Sequence, residues 1–434
     1  MAWKFPFRPP VVIVQASAPA AATEEVAEAV AEEVAEAQKA AVAPAAAAFA
    51  LRWLFMRGLL ALMIAQATQT MAGLMPPMTE LMYSQGLYYY ILRGLSFLNR
   101  FFRFSLGEMF LVMLAMWFLG WTIWYVRRAM RNEVQLFSVV KLLLLHLFWT
   151  FVVLFIIFLV LWGYNYQRPA IAETLGLERR PARSDELQVM ALQIVKGIND
   201  NYSKGREGQD LNGVTRLPYG RETLNQRVED AFRRVRFLGD LGPTGLGRAK
   251  PLYFSHLASM MGFGGVYMPF TGEATFNTEV PPCEQPFMIA NQKAHQLGYA
   301  REDEANFIAY VVCINADDPF VRYSGFLHGV KVLGYLERGA VGRYREKIDP
   351  GPSADLEASG RFWESSRSQP VHGMAVWSLG MFLRLNGVRR GMANYDQDLP
   401  LIIGYYLKYP EGPGQVEDHH EDQEHQEGQE GQPR

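Results

Sequence analysis

Between Pro286 and Cys313 the chain reads PFMIANQKAHQLGYAREDEANFIAYVVC, and its polar residues are spaced for chemistry. His295 follows Asn291 by four residues, so on a helix the two side chains share a face. Glu302 and Asn306 repeat that spacing on a second helix, predicted to start at Arg301 after the first ends near Gly298. Helix, tight turn and helix with inward polar groups is the layout by which zinc peptidases bring two ligands from one helix and a carboxylate from the next around one metal. A working motif is His-Glu-x-x-His; here it reads Asn291-Gln292-Lys293-Ala294-His295. The amide oxygen of Asn is a poor partner for Zn²⁺ compared with imidazole nitrogen. Gln matches Glu in shape but takes no proton from a bound water, a role typically worth about 10² to 10⁴ in rate.

Other chemistry-bearing residues are scattered. His256 and His328 are the distant residues that would have to complete a metal site, and His328 lies in the helical pattern RYSGFLHGVKVL, where an ordinary packed role competes. His146 stands inside an apolar run, where an ionisable group is expensive and a neutral imidazole bonded between helices is the simplest reading. Cys283 and Cys313 flank the motif helices, and a disulfide between them is permitted outside the cytoplasm without being fixed by their spacing. His419, His420 and His425 sit in an acidic tail that could hold a divalent ion loosely, against the simpler reading of a solvated tail.

The elements that must position these residues come from strongly segregated composition. Across 434 residues, with 50% hydrophobic, 13% aromatic and 20% charged side chains, net charge −2 and two cysteines, the averages describe an ordinary soluble chain. Two cysteines exclude a disulfide-stapled scaffold or a multi-cysteine zinc or iron–sulfur module. Residues 15 to 50 are Ala/Glu/Val-rich with net charge −5, Val26, Val30 and Val34 recurring every fourth position; they predict a partly helical, acid-coated tether within residues 1–48. The apolar run after Pro9 and Pro10 is only four residues, too short for a secretory leader. Residues 411–434 carry −7 and predict a disordered tail. Lys4 and Arg8 add two positive charges, leaving about +8 on 51–410, too dilute for nucleic-acid binding.

Within 49–166 three apolar segments, near 49–75, 106–126 and 139–163, are long enough to cross about 30 Å of hydrocarbon. Arg52 and Arg57 lie near the start of the first, from where they can snorkel to the interface. The loop holding Arg127, Arg128, Arg131 and Lys141 against Glu133 reads as cytoplasmic, which places the soluble domain, 167–410, outside. In that domain 186–200, 221–237, 284–297, 302–314, 323–337 and 371–386 read as helices and 262–277 as short strands and turns. The expected class is a membrane protein, mainly α.

Several blocks in fixed order carry a resemblance that covers roughly residues 50–408: YSQGLYYYI and FSLGE near the second span, LWGYNYQRP closing the third, FGGVYMPFTGEATFN ahead of the motif helix, AHQLGYAREDEANFIAYVVC, RYSGFL and FLRLNGVRRGMANY. The chain resembles an uncharacterised family of bacterial membrane proteins that join three transmembrane helices to a C-terminal zincin-like, gluzincin-type metallopeptidase domain. The resemblance implies an α+β zincin-like domain with a small sheet, in the bacterial inner membrane. It aligns His295 with the second zinc histidine and Glu302 with the carboxylate ligand, Glu304 being the alternative, with Asn306 supporting the ligands. It puts Asn291 where the first histidine belongs and Gln292 where the general base belongs. FGGVYMPFTGEATFN, with Tyr267, Phe270 and Thr271, would supply the edge strand beside which a peptide lies in active zincins, an arrangement open to strand addition without a metal. Arg322 and Tyr323 would face the same cleft, Tyr323 as an oxyanion partner.

These readings predict lost catalysis and a binding, regulatory or structural role, with the bilayer, membrane proteins or an extended peptide as partners. No cofactor is expected, residual zinc at His295 and Glu302 being the exception. The alternative is a zinc metallopeptidase with an altered ligand set.

Overall fold

Apolar segments too long for a soluble helix dominate the first third of the chain, and the structure, a computed structural model, makes each of them a single helix. It describes residues 23–132, 135–178, 180–206, 214–235, 246–336, 343–388, 398–410 and 412; of 23–48 it describes the backbone and the side chains of Glu32 and Glu33. The opening residues 1–22 and nearly all of the tail, with His419, His420 and His425, lie outside the described residues. The chain divides into two compact units, Met1–Ala61 and Leu62–Arg434.

Helix α1 (Thr23–Leu74) begins in the first unit, so the Ala/Glu segment is continuous with the first apolar span. Within that unit the Arg57 guanidinium lies over the Trp53 ring at 3.1 Å, one turn away on the same face. Pro76 and Pro77 restart the chain as α2 (Pro76–Thr79), a π-helical stretch Glu80–Leu87 and α3 (Tyr88–Asn99). Helices α4 (Leu106–Met130) and α5 (Leu136–Leu161) follow. Phe49–Leu74, Leu106–Met130 and Phe137–Leu161 are, among the described residues, the three helices long and apolar enough to cross a membrane. Their large side chains, such as Met63, Trp117 and Leu144, are exposed, a surface suited to lipid.

After a short α6 (Ile171–Thr174), the remaining elements are α7 (Ser184–Tyr202), α8 (Arg221–Arg234), β1 (Lys250–Pro251), α9 (Ser255–Met261), β2 (Gly265–Met268), β3 (Glu273–Phe276), α10 (Gln285–Gln296), α11 (Glu302–Ile314), α12 (Pro319–Leu333), α13 (Pro350–Ser366), α14 (Gln369–Leu385) and α15 (Leu399–Lys408). The core gathers where α7 and α10–α12 meet: Ile194, Ile198, Phe307, Tyr310, Phe320 and Leu327 are all buried. Each such side chain contributes about 1.5–3 kcal/mol. The sheet runs β1-β3-β2, with β1 parallel and β2 antiparallel to β3. β3 is buried at all four residues, and β2 forms an edge in register Gly265 with Phe276 through Met268 with Glu273.

Within the second unit, polar anchors tie the apolar helices to the sheet and to the helices that follow it. Buried Glu273 accepts the amides of Leu106 (3.1 Å) and Gly107 (2.7 Å) at the start of α4 and pairs with Lys250. Glu108 accepts the amides of Tyr253 and Phe254, both at 2.9 Å. Gln69 Nε2 donates to Asn386 Oδ1 at 2.8 Å, and Trp162 Nε1 donates to the His295 carbonyl at 3.0 Å. Arg168 grips Glu80 with two bonds of 2.6 Å. Helix α14 leaves Met374, Trp377, Met381 and Leu385 exposed along one face, and Tyr253, Phe254 and Leu257 beside α9 are exposed as well.

Candidate functional site

The motif helix α10 is buried nearly throughout, because its two faces meet different partners. On one, Lys293 pairs with Glu229 of α8 at 2.7 Å, and Gln296 donates to the carbonyls of Leu246 and Gly272. The other presents Asn291, Gln292 and His295. Gly298, at φ +89°, takes the left-handed conformation that ends the helix; a Cβ there would meet Asn165 and Tyr88 at 3.0–3.1 Å. Helix α11 then starts with Glu302, Asp303 and Glu304, acids where the helix dipole favours them. Gly265 of β2 runs so close to α10 that a Cβ would lie 2.7 Å from Gln292 Cγ.

These elements bring Asn291, Gln292, His295, Glu302 and Asn306 together. Asn291 Nδ2 donates to Glu302 Oε1 (3.2 Å) and Asn306 Oδ1 (2.8 Å), and its Oδ1 accepts from Gln292 Nε2 at 2.6 Å. His295 Nδ1 is 2.8 Å from the Tyr299 carbonyl, which can only accept, so that nitrogen carries a proton. Its Nε2 lies 3.1 Å from Glu302 Oε2. Asn291, Gln292 and His295 are buried and Glu302 nearly so. These residues do not fit a zinc ion. Two ligands, His295 and Glu302, face each other directly, and Asn291 turns a donor rather than a lone pair toward the carboxylate. No group of three or more His, Cys, Asp or Glu able to hold a metal occurs among the described residues.

The other sequence candidates are placed elsewhere. Glu304 accepts the Ile171 amide at 2.9 Å and pairs with Arg301 at 2.8 Å, a structural tie to the segment after α5. Tyr323 is buried and donates to Asp355 at 2.7 Å; burial, then Asp355, push its phenol well above the usual range. Arg322 donates to Asn201 and to the carbonyls of Ala316 and Asp317. His328 stacks on Phe287, with ring centres 3.8 Å apart, and lies 2.6 Å from Asp398. His256 sits exposed beside Glu279, and His146 bonds the Leu142 carbonyl of its own helix. Cys283 and Cys313 are free and buried, so the permitted disulfide is not formed, and burial raises both thiols above their usual range.

Of the strand residues, Tyr267 reaches the Tyr88 hydroxyl at 3.1 Å, Phe270 stacks on Phe110 of α4, and Thr271 bonds Glu273. Tyr267 and Phe270 also line a cavity of about 610 Å³, with Gln292, His295 and Glu302 at one end. Its other walls are Phe151, Leu154, Phe155 and Phe158 of α5 and Trp377, Leu379 and Phe382 of α14. Gln292 and Glu302 also line a second, more polar cavity of about 310 Å³, bordered by Asn291, Asn306, His328, Lys331 and Arg367. Tyr323 and Glu304 line neither. Sequence reasoning missed the α5 wall, although Phe151, Phe155, Phe158 and Trp162 recur at helical spacing and their rings follow one another 5.8–6.3 Å apart.

A family model described as "Protein of unknown function (DUF3810)" matches residues 83–403, from the approach to the second span to the middle of α15. No curated protein and no solved structure matches the chain.

Proposed function

The chain belongs to the DUF3810 family of proteins of unknown function, and from that premise we propose that it is a catalytically silent, zincin-like membrane protein whose cleft binds rather than hydrolyses. The observation that carries this reading is the closed network in which Asn291 donates to both Glu302 and Asn306 while accepting from Gln292. Hydrogen bonds occupy the positions at which a zinc peptidase needs ligand lone pairs, and Gln292 provides no general base. The zincin-like assignment draws on helix α10, the turn at Gly298, helix α11 and the antiparallel edge strand β2 against the motif helix. The basic loop between α4 and α5 supports an external domain on the bacterial inner membrane, where a membrane-protein partner is within reach.

The test is metal content and peptide hydrolysis of the full-length protein, beside an Asn291→His, Gln292→Glu double variant. Background zinc and no turnover are expected for the natural chain, and stoichiometric zinc for the variant. Stoichiometric zinc with turnover in the natural chain would sink the proposal. Stable co-purification of a membrane partner without turnover would support the binding role.

A further inference from the structure

The 610 Å³ cavity falls within the range of sites that bury a whole small ligand. Phe151 stands ten residues before the end of α5, so the cavity reaches about 15 Å into the span. That is roughly half the hydrocarbon thickness. Trp377 and Met381 of α14 and Phe151 of α5, all of which line it, are also exposed, so the cavity opens among exposed apolar side chains of the span and of α14. Gln292, which also lines it, carries an unmet polar group: the residue is 6% exposed, its Nε2 is held by Asn291, and its Oε1, enclosed in this conformation, has no hydrogen-bond partner. A buried acceptor without a donor is a penalty that a ligand can remove.

We infer that this cavity binds an amphiphilic lipid, with its acyl chain between α5 and α14 and its head beside Gln292, where a turn of that side chain lets a hydroxyl or amide N–H donate to Oε1. The inference rests on the proposed binding role and names the ligand class for that same cleft. Depth decides between an acyl chain and the extended peptide that β2 invites. Beside Phe155 a peptide would leave its own N–H and C=O groups unpaired in hydrocarbon, whereas an acyl chain has none to satisfy.

The experiment uses full-length protein in phosphatidylcholine nanodiscs and a monoacylglycerol carrying a photoreactive diazirine near the chain end. Saturable labelling is expected on peptides holding Phe151–Phe158 and Trp377–Leu385, competed by unlabelled monoacylglycerol. Gln292→Leu removes the acceptor at similar size and should raise the half-saturating concentration roughly tenfold, the effect of one lost hydrogen bond. Leu379→Trp fills the cavity and should abolish saturable labelling, with circular dichroism confirming an intact fold. Labelling that never saturates and spreads over α4 and α5 overturns the inference, as does an unchanged half-saturation in Gln292→Leu. Displacement of the probe by a synthetic apolar peptide at lower concentration than by monoacylglycerol overturns it in favour of a peptide site. Zinc with turnover in the natural chain would instead remove the silent-site reading beneath it, so the two failures are distinct.

Discussion

Replacing Glu273 by Ala should loosen the joint between the second span and the sheet. The Glu273 carboxylate is 1% exposed and holds the Leu106 and Gly107 amides, the Thr271 hydroxyl and the Lys250 ammonium, itself 8% exposed. Truncation leaves that ammonium buried without its partner, a loss of about 3–5 kcal/mol. It also strips the acceptor from two helix-terminal amides, about 1–3 kcal/mol for each one that water does not reach. Members of one network are not additive. The expected cost is about 4 kcal/mol or more, against a total stability of about 5–15 kcal/mol for a typical domain. Glu273→Gln combined with Lys250→Met keeps an amide oxygen for the α4 amides and removes both charges, and should cost at most about 2 kcal/mol. Equilibrium unfolding in mild detergent, followed by tryptophan fluorescence as a double-mutant cycle, measures both. A Glu273→Ala cost under about 1 kcal/mol, or a coupling energy below about 0.5 kcal/mol, would refute the reasoning.

Trp162→Phe removes one donor to the His295 carbonyl, which keeps the Gly298 amide, at the junction of α5 and the motif helix, and should cost about 0.5–1.5 kcal/mol in the same assay. Cys283 and Cys313, reduced and held protonated by burial, should resist alkylation at pH 8 until the chain is denatured and then react as two thiols; one or no reactive thiol after denaturation without reductant would contradict the free pair. Glu284 is buried, which by itself raises its pKa, but Lys331 with the Ser359 and Trp363 bonds outweighs burial and lowers it below the ordinary 4.5. Its charged form therefore contributes stability above about pH 4.5 that disappears as pH falls through the lower native value, and Glu284→Gln should show a shallower acid loss than the natural chain.

The spans were legible in the sequence because hydrocarbon demands a run of apolar residues that nothing else explains, and Phe49–Leu74, Leu106–Met130 and Phe137–Leu161 match the expected starts at 49 and 106 and depart from the other expected bounds by at most four residues. The motif helices were legible because Asn291 with His295 and Glu302 with Asn306 repeat a one-turn spacing and Gly298 stops the first helix. Helices α13 and α15 were not read: Pro350-Gly351-Pro352 looks like a loop, and Leu399–Lys408 is a short apolar run that periodicity alone does not assign. The direction of a side chain is less legible still. Spacing favours Glu302, which shares a face with Asn306, but leaves Glu304 as an alternative, and the packing of Ile171 and Arg301 takes Glu304 away from the cluster. The large cavity was hidden because it joins α5 to α14, more than two hundred residues apart in the chain, through a distance no local pattern encodes.

The closed cluster on α10 and α11 also bears on how the protein is made. In a metal-dependent site the ion's binding energy is part of the folding energy, so apo chains wait for metal or unfold. Here Asn291, Gln292, Glu302 and Asn306 answer one another, and the His295 ring is held by the Tyr299 carbonyl. If the cleft is silent as proposed, the domain should reach its native state on side chains it already carries, and its folding in a zinc-free medium should match that in a zinc-supplemented one.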